Sequence, residues 1–144
     1  MTRRRYELPD FLVGSCSREH YLRWLQRKAA AHVRRDRRRG NPEARQAEYK
    51  EAIHGAVLNG GNRDAYTGEK LDWSLISTYD NQESKRRGRA YKKKFALLPT
   101  VDHVGDGSGS PDFLICSWRT NDSKNDLDLA EFLALCRRVL KHSS

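Results

Sequence analysis

Asp102 and His103 stand side by side, Asp112 follows, Asn121 comes nine residues after Asp112, and Lys124 comes three beyond that. An ionised carboxylate and an amide oxygen are donors for a hard divalent cation. A neutral imidazole can take a proton from water at cellular pH. Asp102, Asn121 and His103 together therefore suit metal-assisted phosphodiester hydrolysis, in which the ion neutralises charge on the leaving oxygen. In an extended segment the Asp102 and His103 side chains diverge, so His103 must approach the phosphate from the other side, aimed by its backbone. Each residue also has a plainer reading. His103 can close a turn, Asn121 can cap a helix with Asn125 as the competing ligand, and Asp112 follows Pro111 as turn residues do.

Positioning these groups requires a strand ending at His103, a Gly/Ser-rich turn over 105–111, a buried strand over 113–118 and a helix from about Thr120. The helical pattern runs to His142, as one helix or two, with Leu129, Phe132, Leu133, Cys136, Val139 and Leu140 as its inward stripe. Upstream, Ser17 is a candidate N-cap for a helix running to Gly40, with Leu22, Leu25, Ala29 and Val33 inward and arginines outward. Asn41-Pro42-Glu43 predicts the start of a second helix, which stops at Asn59-Gly60-Gly61. Residues 64–71 read as a short strand or knuckle turning at Gly68, and residues 72–77 as one helical turn. The polar stretch 79–94 fits either a loop or a helix broken at Gly88.

The segment Val101-Asp102-His103, continued by Asp112 through Asn121-Asp-Ser-Lys124, resembles the HNH (ββα-metal) nuclease family over about residues 63–126. The resemblance implies that Asp102 and Asn121 bind a single divalent metal, Mg2+ first and Mn2+ or another transition metal next. It implies that His103 is the general base and that Lys124 lies near the substrate phosphate. Asp112 stands where the family usually has an Asn that orients the base. Many members also carry a zinc held by two CxxC pairs. Here those four positions are Asp64, Thr67, Ser117 and Thr120, so no structural zinc is expected, because hydroxyls do not replace thiolates. Hydrogen bonds or packing by Tyr66 and Trp118 are expected to brace the motif instead.

With 144 residues, the chain is expected to be one α+β domain: N-terminal helices in a basic part, 1–60, packed with a C-terminal HNH-like module, 61–144. The net charge is +9, and it is uneven. Residues 1–50 carry 14 basic and 6 acidic side chains, and residues 85–94 carry 7 and 0. Such blocks suit a polyanion that releases counterions. Arg34, Arg35, Arg37 and Arg38, with Lys85, Arg86, Arg87, Arg89, Lys92, Lys93 and Lys94, are candidate backbone contacts to DNA, RNA being the other polyanion. Arg119 is either a phosphate clamp or a surface cation. Three scattered cysteines exclude a disulfide framework, with Cys116 and Cys136 read as small core residues. No apolar run approaches the ~18 residues of a spanning helix, and a cytoplasmic protein without a secretory leader is expected. The rival readings are an inactive nucleic-acid-binding module with this fold and a protein-interaction partner for an acidic protein.

Overall fold

The computed structural model describes residues 6–79, 81–105 and 109–144. Among these the chain forms six α-helices and one two-stranded antiparallel sheet, an α+β arrangement. The basic flank at 1–5 and the centre of the expected 105–111 turn lie outside the described residues.

Helix α1 (Arg18–Arg38) begins at Ser17, whose hydroxyl accepts the His20 amide. Its last turn carries Arg35, Arg37 and Arg38, cations that suit the negative end of the helix dipole. Tyr21, Trp24, Leu25, Ala29, His32, Val33 and Asp36 form the buried stripe, so the inward face continues one turn past Val33 onto an acid. Leu22, expected inside, is half-buried. Helix α2 (Gln46–Gly60) starts later than predicted, because the Asn41 side chain accepts the Glu43 amide and makes a turn there instead. Its Tyr49, Ile53 and Val57 pack inward.

The knuckle at 64–71 forms no named strand and keeps one isolated bridge, Arg63 to Lys70. Its turn places Gly68 at φ +75°, a left-handed conformation that glycine adopts without cost. A 3-10 turn, Trp73–Ser77, follows, capped by Asp72. Residues 81–94 resolve into α3 (Asn81–Arg87) and α4 (Arg89–Lys94), separated by Gly88 at φ +59°.

Strands β1 (Pro99–His103) and β2 (Phe113–Ser117) pair antiparallel, with Asp102 opposite Leu114 and His103 opposite Phe113. Alternation puts Thr100, Asp102, Leu114 and Cys116 on one face and Val101, His103, Phe113 and Ile115 on the other. A lone two-stranded ribbon is marginal, and here the core supports it. Val101, Phe113 and Ile115 join the cluster built on Trp24, Tyr49, Ile53 and Trp73. The Trp24 indole N–H donates to the Pro99 carbonyl at 3.3 Å, tying α1 to β1.

Helix α5 (Trp118–Lys124) follows β2 directly, and α6 (Leu129–Ser143) begins at an Asp128/Glu131 capping box. The expectation that α6 turns its apolar stripe inward is not met: no α6 residue is buried, and Cys136 is only partly covered. Periodicity fixes which face is apolar but not what covers it. Among the described residues no helix is long and apolar enough to cross a membrane.

Candidate active site

Antiparallel pairing and the β2–α5 junction bring three of the five chemistry-bearing residues together. Asp102 from β1 and Asn121 and Lys124 from α5 line one cavity of about 720 Å³, which also reaches Tyr66, Asn125 and His103. Asn121 is free of capping duty, because Ser117 caps α5 by accepting the Thr120 amide. The first amides of α5 are also taken: Trp118 donates to the Leu98 carbonyl and Arg119 to the Ala96 carbonyl. Asn125, the rival ligand, ends α5 at φ +53° and lines the same cavity.

Asp102 is buried, and its Oδ2 carries two partners. The Tyr66 hydroxyl donates to it, and the Lys124 ammonium lies 3.1 Å away. Lys124 also donates to the Leu127 carbonyl, which ties the end of α5 to the turn before α6. Burial, together with the Asp102 hydrogen bond and charge, pushes the Tyr66 phenol well above its ordinary value, so Tyr66 serves as a donor. A buried carboxylate is stable only when paired and hydrogen-bonded, and Lys124 and Tyr66 supply both.

His103 points to the opposite face of the ribbon, where α1 meets it. Its Nε2 lies 3.2 Å from Asp36 Oδ2, the same oxygen that accepts the Tyr49 hydroxyl at 2.5 Å. The His103 side chain is 4% exposed, and its ring lies near His32 and edge-on to Phe113. The sequence reading aimed His103 by its backbone; a side chain from α1 does so instead. Asp36 was missed because it sits inside an arginine run, although its spacing from Ala29, His32 and Val33 marks it as inward. Burial depresses the His32 pKa to about 4, with Arg35 and His103 adding to the effect, and its Nδ1 has no partner. Asp112 is exposed and outside the cavity lining, and its backbone carbonyl accepts the Val104 amide to close the turn.

The four positions that hold zinc in the resembled family form a hydrogen-bonded knot. Asp64 Oδ1 accepts the Tyr66 and Thr67 amides, and Oδ2 accepts the Ser117 amide at 3.0 Å. The Ser117 and Thr120 hydroxyls lie 2.9 Å apart. Burial alone would raise the Asp64 carboxyl, but the hydrogen bonds from Ser117, Tyr66 and Thr120 outweigh it and leave the pKa lowered. The bracing thus runs through Asp64, while Tyr66 reaches Asp102 and Trp118 packs edge-on to Tyr79.

The basic residues divide. Arg35 and Arg39 line the cavity, and Arg34 and Arg38 are exposed on α1. Arg37 instead donates twice to the Ala44 carbonyl, bracing the α1–α2 turn. Lys85, Arg87, Arg89, Lys93 and Lys94 are exposed along α3 and α4. Arg86 grips Glu83 with both carboxylate oxygens, and Lys92 lies 3.7 Å from Asp122. Arg119 pairs with Glu69 across to the knuckle, a structural link rather than a free clamp.

The donors available for a cation are oxygens. Among the described residues no three His, Cys, Asp or Glu side chains gather as a metal cluster. Asp102 and Asn121 provide one carboxylate and one amide, and Asp122, Asp126, Asp128 and Glu131 make the same wall acidic. That set fits a magnesium-like ion, which keeps several waters and takes few protein ligands. An arriving ion must compete with the Lys124 ammonium for Asp102. The chain matches no known protein family, no curated protein and no solved structure.

Proposed function

We propose that the chain is a metal-dependent endonuclease of the HNH (ββα-metal) kind that hydrolyses DNA phosphodiesters. The observation that carries this reading is the single cavity joining Asp102, Asn121 and Lys124, with His103 at its edge. Its acidic lining residues attract a cation, while Arg35 and Arg39, which line the same cavity from the end of α1, attract phosphate. A divalent ion held by Asp102 and Asn121 supplies neutralisation of the charge that develops on the leaving oxygen. Every other role falls to the chain itself.

Asp36 Oδ2 lies 3.2 Å from His103 Nε2, a placement that favours the neutral tautomer with its proton on Nε2 and the lone pair on Nδ1. To act as the general base, the His103 ring, 4% exposed and turned toward α1, has to be uncovered on the cavity side; Nδ1 then takes a proton from the attacking water as the new P–O bond forms and the bond to the leaving sugar oxygen breaks. Lys124, 3.1 Å from Asp102, would be available to the phosphate with a cation held on that carboxylate. The exposed cations of α1, α3 and α4 hold the nucleic-acid backbone, contacts that fix position rather than sequence.

A second reading has its own support. The His103 side chain is almost entirely covered and Lys124 already balances Asp102, as in a nucleic-acid-binding module that keeps the fold without catalysis. Conversion of supercoiled plasmid to nicked or linear forms, with Mg2+ and with a chelator, separates the two. The endonuclease cleaves only with the metal, whereas the binding module shows salt-sensitive retention and no cleavage in either condition.

A further inference from the structure

Helix α6 carries an apolar face that the described structure covers only in part, at Phe132 and Cys136. Leu133 and Leu140 are 40% and 68% exposed, and no α6 residue belongs to the core or packs against it. At 100° per residue, Leu129, Phe132, Leu133, Cys136, Val139 and Leu140 fall on one stripe. Apart from Leu129, whose mirror position is Ser143, the stripe is symmetric about Cys136, the midpoint of the helix. Leu133 and Val139 lie three residues to either side, and Phe132 and Leu140 lie four. A palindromic stripe of this kind is what a two-fold contact between identical helices requires, since each residue then meets its mirror position. Charge selects the direction. Asp126, Asp128 and Glu131 make the N-terminal end of α6 acidic, and Arg137, Arg138 and Lys141 make the C-terminal end basic.

We propose that a second copy of this chain covers the face, α6 packing antiparallel on α6 about a two-fold axis at Cys136. Antiparallel pairing lays the acidic end of each helix beside the basic end of the other and opposes the two helix dipoles; parallel pairing does neither. The N-terminal turn of α6 also lines the cavity through Asp128, Leu129 and Glu131. The dimer therefore brings the basic end of the second copy alongside that wall. The pairing rests on α6 alone and holds whether or not the chain cleaves DNA.

Sedimentation equilibrium of the full chain from about 1 μM to about 1 mM covers the affinities that a small interface gives. A reversible monomer–dimer equilibrium is expected. Leu133→Glu with Leu140→Glu, both at exposed positions, is expected to weaken it by about a hundredfold or more, because each then sets an unpaired carboxylate against its apolar mirror residue, Val139 or Phe132, with an unchanged circular dichroism spectrum. In the wild-type dimer, a short bis-maleimide is expected to join Cys136 to Cys136, as mapped by mass spectrometry. A monomer at every concentration, a dimer indifferent to the double substitution, or linkage through Cys16 instead overturns the proposal.

Discussion

Asp36 of α1 and His103 of β1, 67 positions apart in the chain, meet in a covered pair, with Oδ2 and Nε2 at 3.2 Å. The Tyr49 hydroxyl donates to the same oxygen and fixes the carboxylate. In the proposed mechanism this contact from an N-terminal helix favours the His103 tautomer with its proton on Nε2. Asp36→Asn offers an amide N–H2 or a weaker neutral acceptor in its place. The expected result is a kcat lowered on the order of 10²-fold with KM for DNA little changed, the size of effect general-base chemistry carries. Nitrogen-15 spectra of the imidazole are expected to show the Nε2–H tautomer in the wild type and its loss in the variant. An unchanged tautomer and rate would remove Asp36 from the mechanism.

The Asp64 knot makes a prediction about stability. Asp64→Ala leaves the Ser117, Tyr66 and Thr67 amides without their acceptor beside a buried helix start. Unfolding by urea is expected to show a loss of about 2–4 kcal/mol, the cost of stranding several buried donors. A loss within the error of the measurement would mean that the knuckle is braced by other contacts.

The Lys124–Asp102 ion pair gives a test of the proposed metal site. Lys124→Met leaves a buried carboxylate without its cation, so metal-free stability is expected to fall by about 3–5 kcal/mol. Mg2+ is expected to raise the melting temperature of this variant more than that of the wild type, since the ion no longer competes with an ammonium. Equal shifts in the two proteins would argue against Asp102 as a ligand.

His32 adds a pH dependence of definite sign. Burial holds it neutral in the fold, with its pKa down from 6.5 to about 4. Its contribution is therefore fully present above pH 6.5 and is lost as pH falls from there toward about 4, because the unfolded chain takes up the proton first. Urea titrations at several pH values are expected to show up to about 3 kcal/mol of this loss in the wild type. In His32→Gln the slope over that window is expected to flatten; an unaltered slope would assign the acid sensitivity to other groups.

Local signals in the sequence were legible where short-range chemistry decides the outcome. Ser17 caps α1, as residue type and position imply, whereas 79–94 fits a loop as well as a helix broken at Gly88, and the structure gives the broken helix. The strand, turn, strand, helix order around Asp102 and Asn121 was legible for the same reason. What depends on distant partners was not. Asn41-Pro42-Glu43 carries helix-start chemistry, but the Asn41 side chain folds it into a turn. Asp36 has the spacing of a core residue and the composition of a solvated run, and only His103 and Tyr49 settle which applies. The amphipathic pattern of α6 is plain, yet among the described residues no element buries that face in the core.

The most direct measurement of the central claim pairs cleavage with binding in one variant. His103→Ala is expected to abolish nicking of supercoiled plasmid in Mg2+ while retaining salt-sensitive affinity for the same DNA, because the exposed cations proposed to hold the backbone lie on α1, α3 and α4. Cleavage by His103→Ala at the wild-type rate, or no cleavage by the wild type with any divalent ion, would contradict it.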